Sequence, residues 1–470
     1  MTTLYDADTV GTNDARQGLT RPAPPKMAVG ETTGLVRIQV DDLLGRYSYR
    51  IPREGVIPAS DSQLVILYGD NGSGKTTLLK LIFHLLSPSD ERGHPSELLA
   101  GRYRRLAIEL ADGTIVEAER SAGESQVPAQ MTLRISRLGQ PVASIGYAMK
   151  QPESGSIGAP QQLTIRQSFA TAIQAIGLDV YFLTDSRSLL SDVLPAEEEP
   201  SGLYSSWTTL GLATSAKRPF IQPGKEVSTA MARVSDWILQ AAVGQSEKGE
   251  LSASSLYEQV VSQIASAKPG RPSASLSREQ LVQRLNGVAR DVNEFARFGL
   301  MASFEPERLV QAVQMVPTNR LAMVRRIVLP FVEGLEARTG ALRPIMELIG
   351  TFVGTLNSFF TDKLLRYTFG SGLQIVTTGT STPILLEPDT LSSGERQLLL
   401  LFCNVLPARD RKSLFIIDEP ELSLNVKWQR QLVSGLLRCT EGADIQFLLA
   451  THSIELLTQH QRNVQQLQPQ

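Results

Sequence analysis

Cysteine is scarce in this chain: Cys403 and Cys439 are the only two among 470 residues. That excludes a disulfide framework and a cysteine zinc site, and both read as small buried apolar residues in a reducing cytosol. Long apolar runs are lacking as well. The nearest, Leu398 to Val405, is interrupted by Asn404 and falls short of the roughly 18 residues a bilayer span requires. The N-terminus carries Asp6, Asp8 and Asp14 and no apolar core, so it does not read as a signal peptide, and a cytoplasmic protein is expected. Nor does charge of one sign dominate. With 46 basic and 48 acidic residues the net charge is −2, which gives no global basic field for nucleic acid and leaves only a local patch open. No internal repeat and no sustained heptad are present. A composition of 42% apolar and 20% charged residues is that of a soluble globular protein, long enough here for two or three domains.

Against this background one stretch stands out. Leu64-Val65-Ile66-Leu67-Tyr68 reads as a buried strand, Gly69-Asp70-Asn71-Gly72-Ser73-Gly74-Lys75-Thr76 as a glycine loop, and Thr77 to Phe83 as a helix. The order and spacing are those of a Walker A phosphate-binding loop. Glycines let backbone N–H groups close round a phosphate chain, and the helix N-terminus adds a favourable dipole. Lys75 can then reach the β/γ-phosphates, and Thr76, followed by Thr77, places a hydroxyl on Mg²⁺.

Organisation follows from the period of the apolar pattern. Residues 1–34, with Pro22, Pro24 and Pro25, read as a flexible arm. Strand alternation begins at Leu35 and returns at Arg105–Leu110, Thr114–Arg120, Met131–Arg137 and Val142–Tyr147, the first two of these four joined by the hairpin turn Ala111-Asp112-Gly113. One long helix after the glycine loop is expected in this first half, 35–187. From 188 a linker with Glu197-Glu198-Glu199-Pro200 leads into helical spacing over Ser228–Ala242, Ser252–Ala267, Ser277–Phe298, Pro306–Met315 and Arg320–Leu364. This makes 188–364 a helical lobe. Strand character returns at Leu373–Thr377 and Pro383–Leu386, and 365–458 alternates helix and strand in the manner of a parallel sheet. The Gln-rich tail, 459–470, is expected to fray.

The second half carries the remaining chemistry. Ser413 to Ile417 reads as a buried strand that delivers Asp418 and Glu419 at its C-terminal edge, where α/β sheets place ligands. Asp418 would hold Mg²⁺, and Glu419 would orient and deprotonate the attacking water. Leu391-Ser392-Ser393-Gly394-Glu395 opens an apolar helix, which is an N-cap and equally an anion site. Ile445–Leu449 ends in Ala450-Thr451-His452, a histidine that can touch the γ-phosphate and the water.

Taken in order, Gly69–Thr76, Leu391–Glu395, Asp418-Glu419 and His452 resemble the Walker A, signature, Walker B with catalytic glutamate, and H-switch motifs of an ABC-type ATPase. The run Asp418-Glu419-Pro420-Glu421-Leu422-Ser423-Leu424 resembles the SMC, RecF and OLD branch, in particular the ABC ATPases of bacterial anti-phage systems. The resemblance covers 35–187 and 365–458. It implies an α/β fold, an ABC ATPase head of mixed β-sheet plus P-loop α/β core, split by a large inserted helical lobe. It also implies ATP and Mg²⁺ as cofactors, with Lys75, Glu419 and His452 catalytic and Thr76 and Asp418 on the metal. Gly69 to Thr77 would cradle the phosphates, and Ser392, Ser393, Gly394 and Glu395 would face the ATP of a second protomer, with Leu422–Leu424 as the D-loop crossing the dimer. Tyr47 and Tyr49 are open between adenine stacking and an ordinary strand face. The Q-loop position is a departure, offering Ser186 or Gln151. Too few residues follow His452 for an appended nuclease domain, so the expected partners are a second copy or a higher oligomer and a separate effector, a nuclease or toxin, controlled in prokaryotic anti-phage defence. Nucleic acid stays open as a partner, and no membrane is expected. The alternative reading is a RecF/SMC-like DNA-binding ATPase of genome maintenance.

Overall fold

The computed structural model describes residues 34–52, 63–89, 92–121, 130–148, 159–194, 225–245, 276–379 and 382–468. The predicted arm, the helix over Ser252–Ala267 and the Q-loop candidate Gln151 lie outside the described residues. In chain order the first half comprises β1 (Leu35–Leu43), β2 (Tyr47–Ile51), β3 (Leu64–Tyr68), α1 (Lys75–Leu86), α2 (His94–Ala100), β4 (Arg105–Leu110), β5 (Thr114–Ser121), β6 (Gln130–Arg137), β7 (Gln140–Ala148), α3 (Ala159–Ile176), β8 (Leu178–Leu183) and β9 (Leu189–Leu190). Then come α4 (225–245), α5 (Arg278–Arg297), α6 (Glu307–Met315) and α7 (Leu321–Asn357). The second half has β10 (Lys363–Thr368), β11 (Gly372–Thr377), β12 (Leu385–Leu386), α8 (Ser393–Val405), β13 (Lys412–Asp418), α9 (Val426–Cys439), β14 (Ile445–Thr451), α10 (Ile454–Gln459) and β15 (Val464–Gln466).

Strands that are apolar on both faces must be covered on both faces. The runs of β3, β8, β13 and β14 obey this rule and assemble a sheet of order β15-β3-β14-β13-β8-β9, parallel except for β9. Register pairs Phe415 with Phe447 and Tyr181, and Leu449 with Ile66. Tyr181 stacks on Phe415 with ring centroids 4.4 Å apart. Because the strands run together, Tyr68, Leu183, Asp418 and Thr451 all finish at one edge, although the chain visits that edge at widely separated points. This is a largely parallel α/β sheet with the glycine loop at the C-terminal end of β3.

The sheet β2-β1-β4-β5-β6-β7 is antiparallel and alternates buried with exposed positions, as a sheet with one solvated face does. Between the two sheets lies α1, whose Leu78, Leu79, Ile82 and Phe83 share a core with Ile38, Val40, Leu106 and Ile108 on one side and Leu414, Ile416 and Leu448 on the other. On the opposite face of the parallel sheet, α4, α8, α9 and the second half of α7 form another core around Phe352, Phe402, Phe415 and Phe447. A smaller core joins α5, α6 and the first half of α7 through Leu281, Leu285, Val328 and Val332. With 37 residues, α7 spans about 55 Å and so belongs to both cores. Among the described residues no helix is long and apolar enough to cross a membrane.

Several expectations are corrected. The helix from Arg320 stops at Asn357, and β10 occupies the stretch assigned to its end. The Asn357 side chain donates to the Leu365 carbonyl and accepts from the Leu365 amide, at 2.9 and 2.7 Å, which turns the chain into the strand. Helices α2 and α3 accompany α1 in the first half, where one helix was expected. The tail does not fray throughout: β15 pairs with β3, and Leu467 N donates to the Tyr68 carbonyl at 2.7 Å. Its anchors are single apolar residues, Val464 and the buried Leu467, too few to give a period.

Phe402 sits at the centre of this arrangement, fully buried against Phe359 and close over Gly435. Phe402→Ala should lower unfolding stability by about 3–5 kcal/mol, read from urea denaturation. A loss below about 1 kcal/mol would contradict the assignment of α8 to the core.

Candidate active site

The loop after β3 is shaped by backbone requirements. Gly72 and Gly74 have φ of 81° and 84°, a region side chains disfavour, and a Cβ on Gly74 would meet Leu43 at 2.9 Å. Helix α1 opens on Gly74 with no side-chain cap and no acid in its first turn, so its N–H groups and dipole are available to an anion. Asp70, Asn71 and Gly72 are exposed, Ser73 is buried, and Thr76 and Thr77 are half-buried in the first turn. Tyr49 holds the loop from below: its hydroxyl donates to the Ser73 carbonyl at 2.8 Å. Burial pushes that phenol up to about 12. It stacks on Tyr47 at 5.8 Å, and being 2% exposed it is a strut under the loop, not a free face for a base.

Lys75 is buried and donates to the carbonyls of Gly69 (2.9 Å) and Asp70 (3.2 Å) and to Nε2 of His452 (2.6 Å). Burial lowers its pKa, while Glu419 and Asp418 pull it back up. The same His452 nitrogen lies 3.2 Å from Glu419 Oε1. Burial and then the Lys75 charge lower the His452 pKa, and with Lys75 Nζ donating to it Nε2 serves as the acceptor.

The carboxylates are shaped by low polarity. Burial raises Asp418 to about 6, against the pull of the Thr76 hydroxyl beside it. Among the described residues neither of its buried oxygens has a hydrogen-bond partner. Glu419 is raised to about 8 by burial, then by Glu421 and Asp418. Its φ is +48°, and its amide donates to the Ala450 carbonyl at 2.9 Å. At neutral pH it is therefore a protonated acid facing Nε2. Magnesium takes oxygen ligands from one or two side chains and completes its shell with phosphate and water. The orphaned Asp418 oxygens beside the Thr76 hydroxyl fit that donor set.

Motif reading missed Glu421 as a working residue. Its Oε1 accepts from Thr451 Oγ1 (2.6 Å), His452 N (2.7 Å) and Ser453 N (2.9 Å), which fixes the loop carrying His452. An acid two positions after Glu419 was the only signal for it. The signature residues have other partners. Ser392 caps α8 in a capping box with Glu395, whose carboxylate bonds Lys363 at 2.9 Å and the Ser392 amide at 2.7 Å. Burial would raise Glu395, but Lys363 and Ser392 bring it below the ordinary range. Gly394 is buried, and a Cβ there would come within 2.7 Å of the Ser423 carbonyl. Ser392 is exposed and Ser393 half-buried. Among the described residues, then, Lys75, Thr76, Asp418, Glu419 and His452 meet, and no hydrogen bond or ion pair joins Ser392–Glu395 to them. At the Q-loop position Ser186 turns its hydroxyl onto Thr184 at 2.8 Å.

Two family models match the segments that carry this site. Residues 58–179 match the ABC transporter family. Residues 345–458 match the family described as "AAA domain, putative AbiEii toxin, Type IV TA system". Among solved structures, the Smc head domain with an extended coiled coil bound to the C-terminal domain of ScpA, from Pyrococcus furiosus, is 12% identical, with 90% of this chain and 91% of that one covered and a TM-score of 0.36. The SmcHead bound to the C-winged helix domain of ScpA is 9% identical over 90% and 91%, with a TM-score of 0.34. The Smc head domain with a coiled coil and joint from Pyrococcus yayanosii is 12% identical over 90% and 93%, with a TM-score of 0.32. By its motifs and its two matched segments the chain is related to ABC-type ATPases and, in its second half, to AbiEii-type AAA proteins.

The raised Glu419 pKa has a consequence for stability. Between the ordinary carboxyl value of 4.5 and about 8 the folded chain keeps a proton the unfolded chain has released, so this group makes stability fall as pH rises through that window. Glu419→Gln removes the effect. Its urea midpoint should gain on the native protein between pH 5 and 9, and a difference independent of pH would contradict the shift.

Proposed function

We propose that the chain binds ATP with Mg²⁺, dimerises around two ATP molecules, hydrolyses them, and uses the cycle to control a separate effector in anti-phage defence. The observation that carries this reading is the convergence of Lys75, Thr76, Asp418, Glu419 and His452 at one sheet edge, with no hydrogen bond or ion pair among the described residues joining Ser392–Gly394 to them. A complete site would then need the signature of a second copy.

On this reading Lys75 leaves the carbonyls of Gly69 and Asp70 for the β/γ-phosphates, and the α1 N-terminus holds the phosphate chain. Thr76 and Asp418 hold the Mg²⁺, which when bound supplies positive charge against the phosphate oxygens. Glu419 takes the proton of the attacking water once it is ionised, and His452 orients the water and the γ-phosphate. The exposed Leu422, Val426 and Ile454, 40%, 50% and 74% accessible, favour a protein face over solvent beside the site. The AbiEii-type match supports a defence role, and control of an effector follows from the two-state logic of ATP-dependent closure.

Lys75→Ala should abolish ATP binding in a fluorescent-nucleotide titration, whereas Ser392→Ala should bind ATP normally and turn it over at least tenfold more slowly, on the order of an oxyanion donor's loss. Mixing the two under subunit exchange should recover activity, since one composite site is then intact. Unimpaired binding by Lys75→Ala, or no recovery on mixing, would count against the reading.

A further inference from the structure

The turn between β8 and β9 makes a contact that the chemistry above does not use. Thr184 organises it: its amide donates to the Ser188 carbonyl at 3.0 Å, its carbonyl accepts from Arg187 N at 2.9 Å, and its hydroxyl accepts from Ser188 N at 3.2 Å. The segment beyond β9 is anchored to the region after α1. Asp192 accepts from Ser89 N at 2.7 Å and pairs with His94 Nε2 at 3.0 Å, and Arg92 donates to the Ser191 and Leu194 carbonyls. The turn is thus held from behind, and its tip reaches across the sheet edge. There the Arg187 guanidinium donates to Ser423 Oγ, a hydrogen bond between residues 236 positions apart.

Both ends of this bond sit in unusual backbone. Arg187 has φ of +67° and Ser423 of +65°, conformations that residues with a Cβ rarely adopt without support. Ser423 occupies the loop that leaves Glu419: Leu422 N donates to the Glu419 carbonyl at 3.1 Å and Leu424 N to the Glu421 carbonyl at 3.0 Å. Its own carbonyl lies where only the missing Cβ of Gly394 leaves room. A shift of Ser423 therefore moves the backbone of the general base Glu419 on one side and presses on the first turn of α8 on the other.

We propose that Arg187 is a positioning residue that sets the 419–424 loop through Ser423, and so couples the β8–β9 turn to both Glu419 and the signature helix. In this role it acts through Ser423 and not on nucleotide or water. The turnover arm of the test rests on the ATPase reading, while the structural arm does not.

The test is hydrogen exchange on the nucleotide-free full chain, followed by turnover. Arg187→Ala should accelerate exchange at the Leu422 and Leu424 amides about fivefold to tenfold, the scale of one lost net hydrogen bond. Ser423→Ala should do the same, the double variant should go no further, and Arg187→Lys should recover part of the protection. With MgATP, Arg187→Ala should lower kcat about 10- to 100-fold, as a small misplacement of a reacting group does, and leave KM within about twofold. Unchanged amide exchange, additive losses in the double variant, or a raised KM at constant kcat would overturn the proposal. The exchange change without any ATP turnover by the native chain would sink the ATPase reading and leave the positioning role standing.

Discussion

Two adjacent carboxylates stand at the end of a buried parallel strand, and the cost of holding charge there shapes their surroundings. Asp418 and Glu419 both answer by binding protons more tightly, Asp418 with two oxygens that lack partners among the described residues and Glu419 as an acid facing His452. Lys75, folded back on its own loop, and the Thr76 hydroxyl offset part of that cost, whereas Glu421 adds to it for Glu419 while its Oε1 accepts from three donors of the adjoining strand end. A divalent cation with phosphate is a ligand whose positive charge would offset the cost of both carboxylates.

The parallel register is what makes the cluster possible. Strand β13 lies between β8 and β14, and β14 between β13 and β3, so a loop from each half of the chain meets at one edge. The two halves are then bound through cores on both faces of the sheet. Helix α1 fills the space toward the antiparallel sheet, while α4, α7, α8 and α9 cover the other face. Because α7 continues into the core made with α5 and α6, movement at the far end of that helix bears on the packing beneath the signature helix α8.

The strands that carry the site were legible for a physical reason. Leu64–Tyr68, Leu414–Asp418 and Ile445–Thr451 are short apolar runs ended by glycine, acid or histidine, and that pattern needs no tertiary information. The hairpin at Asp112-Gly113 and the Ser277 cap of α5 were equally local. What was hidden depended on distant partners. Tyr49 gave no sign that its hydroxyl would hold the glycine loop, nor Glu421 that it would fix the His452 loop. Lys363 was read as helix and proved to be the strand residue that neutralises Glu395. One helix was legible and missed: in α3 Phe169, Ala172, Ile173 and Ile176 stand at helical spacing and pack into one core. The bond between Arg187 and Ser423 joins two residues whose only local mark is backbone that a sequence does not display.

Dimerisation around ATP is the claim on which the rest of the account turns, because among the described residues no hydrogen bond or ion pair joins Ser392–Glu395 to Lys75. It is tested most directly by the mass in solution of Glu419→Gln, a variant that on the proposed mechanism loads ATP and cannot take the proton of water. By light scattering with MgATP the account predicts twice the 51.4 kDa chain mass, reverting to the single chain when nucleotide is removed. An ATP-loaded variant that keeps the single-chain mass would contradict it.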